Sequence, residues 1–479
     1  MLSLFILVPL AGLLALNLPV GKTSARLAAG VVLVLALAQA VVAVTPAWGS
    51  ITGHGPLSSA FVFALSADAL ARLMLLLIGL VTAATAMVGL ATISGARQLF
   101  HFMNVLLIAV IGMNGLSLVS DLFSLYVFLE ITSIASFILI ALDRSALSLE
   151  GTFKYIILSS VASVMMLGAV ALLLLTTHST GFAAIAEAIK GSPTHVFTKI
   201  AVGSFLCGLF IKAGLVPFHG WVVAAYSSAP AATSVLLAGI ATKISGVYTL
   251  IRLVVSVFGY NEGVNQVLLL IGAVSAVIGA LAALGQTDLK KLLAYSSISQ
   301  VGYILLGLGC GSQLGLLAAV FHFFNHAIFK AQLFVNSAAL EDRLGTTDMS
   351  QMGGLGPKMP WTSVTSVLGA LSTAGVPPLA GFWSKLLIII ALWKAGLLPY
   401  ALLAIAVSVL TLAYMLIFQR RIFFGQPSET LQDIREARLE LVLPAVVLAA
   451  ITVGVGVTIP FMPYVLNALG HLAAGVFPH

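Results

Sequence analysis

A long apolar run of the chain is interrupted by Lys212-Ala-Gly-Leu-Val-Pro-Phe-His-Gly-Trp221. A second interruption, Thr373-Ala-Gly-Val-Pro-Pro-Leu-Ala-Gly-Phe-Trp383, lies in a later apolar run, and both contain Ala-Gly-x-x-Pro before an aromatic segment that ends in Trp. Proline inside an apolar helix breaks or kinks it. Two broken spans in corresponding places predict an internal repeat and indicate where an ion or substrate path lies. The alternative is a pair of unrelated proline kinks.

The segments around the two breaks also match. Residues 125–142 and 291–308 change from polar to aliphatic and end in Ile-Leu-Ile-Ala-Leu and Ile-Leu-Leu-Gly-Leu. We predict two repeats of about five helices, each with one broken helix, and the odd number of helices inverts the second copy in the membrane. The expected units are helices 1–3 in residues 1–98, the first repeat in 99–257, the second repeat in 258–424, and a connector with helix 14 in 425–479.

The composition decides the class of protein. Of 479 residues, 60% are hydrophobic and 8% are charged, whereas a soluble domain has about 25% charged residues. Lipid accepts helices or closed barrels, and these runs lack the alternation of barrel strands. A membrane-crossing helix needs about 20 apolar residues. We therefore predict an all-α polytopic membrane protein with about 14 transmembrane helices, near residues 2–20, 27–47, 66–93, 99–119, 121–142, 150–177, 197–217, 230–257, 264–284, 289–309, 313–340, 361–395, 399–424 and 438–458.

The basic residues predict the orientation. Loops on one side of the membrane hold Lys22, Arg26, Arg97, Arg144, Lys154, Lys290, Lys291, Arg343, Lys358, Arg420, Arg421, Arg435 and Arg438. Loops on the other side hold Lys190, Lys199, Arg252 and Lys394. The richer set belongs in the cytoplasm, so both termini are expected on the outer side of the cell's inner (cytoplasmic) membrane.

Three smaller segments carry expectations of their own. The first span lacks a basic region before it and is followed by Lys22 and Arg26, so we do not expect it to be a cleaved signal peptide. Residues 181–190 predict a short interfacial helix, and 425–440 predict an amphipathic connector.

Several kinds of chemistry are not expected. The two cysteines lie far apart in apolar runs, which argues against a disulfide scaffold, and the scattered basic residues argue against nucleic-acid binding. The sequence has no phosphate loop, no Rossmann fingerprint and no cysteine cluster for iron–sulfur centres. We therefore expect no cofactor and no metal, and any transport must draw energy from partner subunits or an ion gradient.

The predicted spans contain an unusual number of ionisable side chains. A charge at the bilayer centre costs about 2.5–3.5 kcal/mol on insertion scales, and a buried lysine or glutamate exchanges protons more readily near neutral pH. For a single residue, a snorkelling side chain or a structural ion pair is the alternative. For the whole set we predict side chains that face the bundle interior, pair with one another or line water, and we predict that seven of them are proton carriers: Glu130, Lys212, Lys243, His322, His326, Lys330 and Lys385. The set is Arg72, Glu130, Lys212, Lys243, Lys330 and Lys385, with His219, His322 and His326.

Position assigns these residues different parts. Glu130 has no neutralising neighbour in sequence, and Lys212 lies at the first break, so we predict that these two pair. Lys243 lies beside Thr242, Ser245 and Gly246 in a small polar surface of the next helix.

The second half offers further carriers. His322, His326 and Lys330 recur every four residues and would share one helix face. We predict a hydrated proton relay there; zinc is the alternative, but no carboxylate or cysteine accompanies the two histidines. Lys385 follows the second break as a terminal carrier.

For His219 and Arg72, a purely structural role is a possible interpretation. We expect His219 to be either part of the path or an ordinary hydrogen-bonded histidine. Arg72 and Asp68 are expected to form an i, i+4 pair.

At these residues the sequence resembles the antiporter-like membrane subunits of respiratory complex I, membrane-bound hydrogenases and multisubunit cation/proton antiporters. The resemblance covers roughly residues 100–420. Its motifs are Leu129-Glu130, Lys212-Ala-Gly-x-x-Pro-Phe-His219-x-Trp, Ala229-Pro-Ala-Ala-Thr-Ser-Val-Leu-Leu-Ala-Gly239, Thr242-Lys243 with Gly246-Val-Tyr, Asp288-Leu-Lys-Lys-Leu-Leu-Ala-Tyr-Ser-Ser-Ile-Ser-Gln300, His326-Ala-x-Phe-Lys330-Ala and Gly375-x-Pro-Pro-x-x-Gly-Phe-x-x-Lys385.

The resemblance implies 14 helices with broken seventh and twelfth helices, an input pair of Glu130 and Lys212, a bridge at Lys243 and a far-side carrier at Lys385. Where the family often has Leu-Pro-x-Ala-His, this chain has Val222-Val-Ala-Ala-Tyr226, which puts a proton-uptake role there in doubt. A lysine at 385, and no long lateral helix after span 14, favour the quinone-proximal subunit type or the second large antiporter subunit.

Three functions are open at this point. The first is a proton-translocating subunit of a redox-driven NADH:quinone oxidoreductase or hydrogenase-type complex, with other membrane subunits, the lipid bilayer and protons as partners. The second is a subunit of a multisubunit Na⁺/H⁺ antiporter. The third is a membrane scaffold that does not conduct. Since the chain has no redox site of its own, the sequence leaves open whether its complex is an enzyme.

Overall fold

The computed structural model describes residues 2–18, 24–45, 64–191, 195–425, 431 and 433–459. The described residues form 17 helices, three isolated backbone bridges and no strand longer than a bridge. The helices are α1 (Leu4–Leu16), α2 (Ala25–Val44), α3 (Ala69–Thr92), α4 (Ala96–Leu118), α5 (Leu122–Ile140), α6 (Ala146–Thr177), α7 (Phe182–Gly191), α8 (Val196–Ala213), α9 (Gly220–Ser228), α10 (Ala231–Phe258), α11 (Glu262–Leu284), α12 (Leu289–Gly309), α13 (Gln313–Leu344), α14 (Pro360–Ala374), α15 (Ala380–Lys394), α16 (Leu398–Ile422) and α17 (Leu439–Thr458).

Twelve of these helices are long and apolar enough to cross a membrane, judged by length and composition. The short apolar helix α1 and the broken pair α14–α15 bring the crossing elements to the predicted fourteen, with α9 continuing α8 beyond the first break. The helix predicted at 181–190 is α7, with one face apolar. The chain is therefore a multi-pass, all-α membrane protein.

The two repeats match residue for residue over their central part. The helix α6 and the helix α13 each have 32 residues and begin after capping serines, Ser145 and Ser312. The helices α5 and α12 begin after capping aspartates, Asp121 and Asp288. The two aspartates are 167 positions apart in the sequence, and so are the two serines. Each aspartate forms an antiparallel bridge with the loop after the long helix of its own repeat.

Contacts at the helix ends show that the second copy is inverted. The start of α5 lies beside the start of α3, because Ser120 N donates to Ala64 O at 3.0 Å. Asp68, which caps α3, pairs with Arg252 near the end of α10. The start of α12 lies beside the other end of α10, because Lys290 Nζ donates to Ala229 O at 3.3 Å.

The helices α10, α12 and α13 form the centre of the bundle. In the most apolar 18-residue segment of each, 100%, 94% and 89% of the residues are buried. The helix α10 is wound as a π-helix over Leu237–Ala241, Lys243–Tyr248 and Val254–Phe258. Its threonines follow that wider winding, since the hydroxyls of Thr242 and Thr249 donate to carbonyls five residues earlier. Segments of π-helix occur frequently at functional sites, and this one surrounds Lys243.

One predicted pair is wrong. Asp68 does not pair with Arg72: its carboxylate binds Arg252 bidentately at 2.5 and 2.8 Å, and Arg72 donates to the carbonyls of Ala43 and Thr45. Asp68 is the N-cap of α3 and has an extended backbone, so it does not occupy the helical position that an i, i+4 pair requires.

Some predictions lie outside the described residues. These are the position of Lys22, the C-terminal ends of the first two predicted spans, residues 460–479, and part of the connector 425–440.

Candidate proton path

The first break places Lys212 at the end of a helix inside the membrane. The helix α8 ends at Ala213, and Gly214 turns left-handed at φ 67°, so that Leu215 N donates back to Phe210 O at 3.0 Å. A side chain at Gly214 would collide with Val222, which explains the glycine. Lys212 lies in the last turn of α8, where the negative end of the helix dipole favours a cation.

Lys212 and Glu130 are in contact, as predicted. Lys212 Nζ lies 3.2 Å from Glu130 Oε1, and it also donates to the hydroxyls of Ser133 at 2.9 Å and Ser159 at 2.7 Å. Ser163 donates to the same glutamate oxygen at 2.5 Å. The lysine side chain is fully buried, whereas 27% of the glutamate side chain is exposed. The pair is therefore held by a ring of hydroxyls and reaches the surface of the chain through its carboxylate.

Lys243 is on α10, which packs against the end of α8 that carries Lys212. Gly246 packs directly on the backbone of Ala213, so close that any side chain at 246 would overlap it. Lys243 lines a small cavity with Tyr226, Thr242, Ser297 and His326. Its ammonium group makes no hydrogen bond to any described residue. A buried polar group is normally satisfied by protein or by water, and these four polar side chains face the cavity among apolar ones such as Val222 and Val301.

The histidine face of α13 continues from the cavity, as the four-residue spacing predicts. His326 and His322 stack with rings 3° from parallel and centroids 6.4 Å apart. Neither nitrogen of His326 bonds to a described residue, and His322 Nδ1 lies 2.9 Å from Ser384 Oγ. Lys330 donates to Leu293 O of α12 at 3.1 Å.

The second break repeats the geometry of the first. The helix α14 ends at Ala374, Gly375 turns left-handed at φ 84°, and Val376 N donates to Leu371 O. Lys385, on α15, reaches back across the break so that its Nζ lies 3.5 Å from Ala374 O and 4.6 Å from the centre of the Tyr303 ring. Among the described residues, no carboxylate oxygen lies within 4.0 Å of Lys385 Nζ.

The structure therefore brings six of the seven predicted carriers into one series, which is buried except at Glu130. The series is Glu130, Lys212, Lys243, His326, His322 and Lys385. The seventh carrier, Lys330, lies one turn beyond His326 on the same helix and faces α12. His219 is the N-cap residue of α9, its ring lies near that of Tyr295, and its Nδ1 is buried without a hydrogen-bond partner among the described residues, so its part stays a prediction.

Sequence reasoning missed the serines that hold the first pair. Ser159 and Ser163 are common residues in an apolar helix, but in the repeat they correspond to His326 and Lys330. Alignment of the two repeats could therefore have identified Ser159 and Ser163 as candidate site residues. In the first repeat the ionisable groups are on α5 and α8, and the long helix α6 supplies hydroxyls. In the second repeat the corresponding long helix, α13, carries the ionisable groups itself.

Residues 119–411 match the family described as NADH:quinone oxidoreductase/Mrp antiporter, TM. A subunit of the Na(+)/H(+) antiporter of Alkalihalophilus pseudofirmus is 35% identical over 398 residues, which cover 83% of this chain and 80% of that protein. NADH-quinone oxidoreductase subunit N of Desulforudis audaxviator is 33% identical over 372 residues, which cover 76% and 74% of the two chains.

A solved structure agrees with these relatives. One chain in the structure of the Mrp complex from Dietzia sp. DQ12-45-1b superposes with a TM-score of 0.90 at 29% identity, and the match covers 100% of this chain and 97% of that chain. Together with the two breaks and the buried series between them, these matches show that the chain belongs to the family of antiporter-like membrane subunits shared by complex I, hydrogenase-type complexes and Mrp antiporters.

Proposed function

We propose that this chain moves protons across the membrane along the buried series from Glu130 to Lys385. The observation that carries the proposal is a row of ionisable side chains inside apolar helices. Hydroxyl groups surround its first pair. Further along, polar atoms of Lys243 and His326 have no hydrogen-bond partner among the described residues. Ionisable residues in such helices are expensive and mark proton relays in pumps and transporters.

Each residue has a part in this proposal. Glu130 and Lys212 form the input pair, in which a proton arriving at one member changes the proton affinity of the other. Lys243 connects the pair to the histidines of α13 through the small cavity. Lys330 adds a carrier on the same helix, and Lys385 is the carrier on the far side.

The exposed fraction of Glu130 supports a partner at this position. A carboxylate that reaches lipid at mid-membrane is unfavourable, and the exposed residues around it on α5 and α6 are apolar, such as Ile134 and Val164. We propose that another membrane subunit covers this face. The relatives and structural neighbours belong to multisubunit membrane complexes, which agrees with such partners.

The complex we favour is a redox-driven NADH:quinone oxidoreductase or hydrogenase-type assembly. The two cysteines, Cys207 and Cys310, lie far apart in the sequence, and we propose that the driving redox reaction takes place in partner subunits. The alternative is a multisubunit Na⁺/H⁺ antiporter, which is favoured by the likeness to the Na(+)/H(+) antiporter of Alkalihalophilus pseudofirmus and to the Mrp complex. We place the chain in the inner membrane with both termini outside, on the distribution of basic residues.

Copurification separates these two assemblies. A tagged chain purified in mild detergent should bring iron–sulfur subunits if it serves a redox-driven complex, and only further membrane subunits if it serves an antiporter. Sodium-dependent proton exchange in vesicles would place it in the antiporter.

The path itself is tested by Lys212→Ala. Loss of one member of a buried pair removes the input, so we expect proton uptake by vesicles that contain the assembled complex to fall by about 100-fold, the typical contribution of a positioned proton-transfer group. Glu130→Gln should behave likewise, and Glu130→Asp should keep partial activity. Unchanged uptake in Lys212→Ala, with assembly verified, would leave a scaffold that does not conduct as the better account.

A further inference from the structure

A second ion pair lies away from the series, at the end of the bundle where α12 begins and α13 ends. Lys290 Nζ lies 2.7 Å from Glu341 Oε2, and the lysine side chain is 4% exposed whereas that of the glutamate is 35% exposed. Lys290 also donates to Ala229 O in the turn before α10. The glutamate thus faces the surface, and the lysine lies inward between three elements.

The fold does not require charges at these two positions. The residues at the corresponding positions of the first repeat, Phe123 and Leu174, are apolar and exposed on the outside of the bundle. Moreover, a cation at the start of α12 and an anion at the end of α13 are both disfavoured by the helix dipoles. The helix dipoles therefore do not account for the charges at these two positions.

A polar stripe leads inward from the pair. On α13, Glu341, Ser337 and Lys330 are spaced by four and seven positions and share one face, over about 17 Å. Ser337 is fully buried, and its hydroxyl makes no hydrogen bond to any described residue. On α12, the carbonyl that accepts from Lys330 belongs to Leu293, one turn after Lys290.

Two aromatic rings interrupt this stripe. Phe334 lies between Ser337 and Lys330 on α13, and its ring meets the edge of Tyr226 with centroids 5.8 Å apart at 86°. The Tyr226 hydroxyl is bound to Leu237 O and to Thr242 Oγ1, directly beside Lys243. Phe334 thus lies on the stripe between Ser337 and Lys330, and Tyr226 joins it to the cavity that Lys243 lines.

We propose that Glu341 and Lys290 take up protons from the side of the membrane predicted to be cytoplasmic, and that Phe334 and Tyr226 gate their passage to Lys330 and Lys243. The proposal rests on the proposed function and gives the series a second point of access. It also assigns a part to Tyr226, at the position where this chain departs from the family motif.

The test uses the purified complex that contains this chain, reconstituted in liposomes with an internal pH dye. Glu341→Gln should slow driven proton transport by about tenfold, less than the roughly 100-fold of a positioned proton-transfer group, because water can deliver some protons to Lys290. Glu341→Asp should retain most of the rate. A purely structural pair would act through stability, so a loss of transport in Glu341→Gln that is matched by the loss of folded complex, measured as Tm and protein content, would overturn the uptake role.

The gate is tested without the driving reaction. Under a potassium diffusion potential, Phe334→Ala should let protons leak inward. If the alanine variant does not assemble, Phe334→Leu takes its place and should give a smaller leak. Phe205→Ala is the matched control, because Phe205 is equally buried but packs on Phe258 away from the stripe. Adding Glu341→Gln to the Phe334 variant should suppress the leak.

The outcomes separate the two proposals. A tight Phe334→Leu complex, or a leak that Glu341→Gln leaves unchanged, overturns the access path. If Lys212→Ala, measured in parallel, abolishes transport in the same preparation, the carrier function stands and only this path fails. If Lys212→Ala transports normally, the proposed function fails first.

Discussion

Two lysines lie at the ends of broken helices, but their surroundings differ. Lys212 is balanced by the carboxylate of Glu130 and by two hydroxyls. Lys385 has a distant carbonyl and the face of Tyr303. When the two breaks are aligned, Lys212 corresponds to Thr373 and not to Lys385. Nevertheless, both ammonium groups lie beside the last turn of the helix before a break, α8 for Lys212 and α14 for Lys385. The position of the charge is thus kept while the residue that supplies it changes.

The poor compensation of Lys385 suits a group that gains and loses a proton in each cycle. Arginine is not deprotonated in proteins, so Lys385→Arg should impair translocation nearly as much as Lys385→Ala although the charge is kept. The measurement is proton translocation per turnover of the complex, or cation-dependent proton exchange if there is no redox partner.

A structural lysine would give the opposite order. Full activity in Lys385→Arg beside a loss in Lys385→Ala would move Lys385 from carrier to scaffold. The exit would then lie on the face formed by His322, His326 and Lys330.

At the residue scale the sequence predicted pairs well where candidates were few. Glu130 stands alone in its span and Lys212 marks a break, so their contact could be inferred before any coordinates. Ser159 carried no such signal, because hydroxyls are common in membrane helices. The pairing of Asp68 was missed because a cap residue turns out of the helical register and its partner, Arg252, lies on a helix far along the chain.

The helix breaks depend on close packing of backbone against backbone. At the second break, Gly456 of α17 lies against Leu379 and Ala380, and a Cβ at 456 would lie 2.5 Å from Ala380 N. Trp383 Nε1 donates to Gly456 O at 2.9 Å, which fixes the two elements together. The start of α15, which carries Lys385, is therefore positioned by α17.

A methyl group at this contact should disturb both stability and transport. We expect Gly456→Ala to destabilise the complex by about 1–3 kcal/mol, the usual penalty of overpacking, and to slow translocation by shifting Lys385. Gly454→Ala is the matched control in the same helix, because a Cβ there meets nothing within 4 Å. The control should be neutral or slightly stabilising, since alanine favours helix by about 1 kcal/mol.

The comparison is made on Tm of the purified complex and on proton uptake in vesicles. Equal behaviour of the two variants would show that α17 does not position the second break.

At the element scale, glycine and proline made both breaks predictable, and the matching sequences around the breaks made the repeat predictable. The π-helical winding of α10 was not. Periodicity is visible only where polar and apolar residues alternate around a helix, and α10 is buried on all sides. The domain limits at 98, 257 and 424 stay predictions.

Inversion of the repeats explains how one chain can offer access on both sides of the membrane. The starts of α5 and α12 lie at opposite ends of the bundle. Their ionisable groups are not copies of each other, because Glu130 corresponds to Ser297 and Ser163 to Lys330. The two halves therefore supply different parts of one series, which meets at the cavity beside Lys243.

A single series and two independent half-paths predict different double variants. If protons pass from Lys212 to Lys385 in sequence, Lys212→Ala and Lys385→Ala each remove nearly all transport, and the double variant is no worse than either. If each half conducts alone, each single variant leaves roughly half of the transport and only the double variant abolishes it. Independent effects would add in free energy. In a series the double variant is less harmful than that sum, whereas with two half-paths it is more harmful, so the sign of the departure from additivity identifies the series. Proton translocation by the assembled complex in liposomes, measured for the two single variants and the double variant at matched protein content, decides between them, and half-activity in both single variants would refute a continuous path through Lys243.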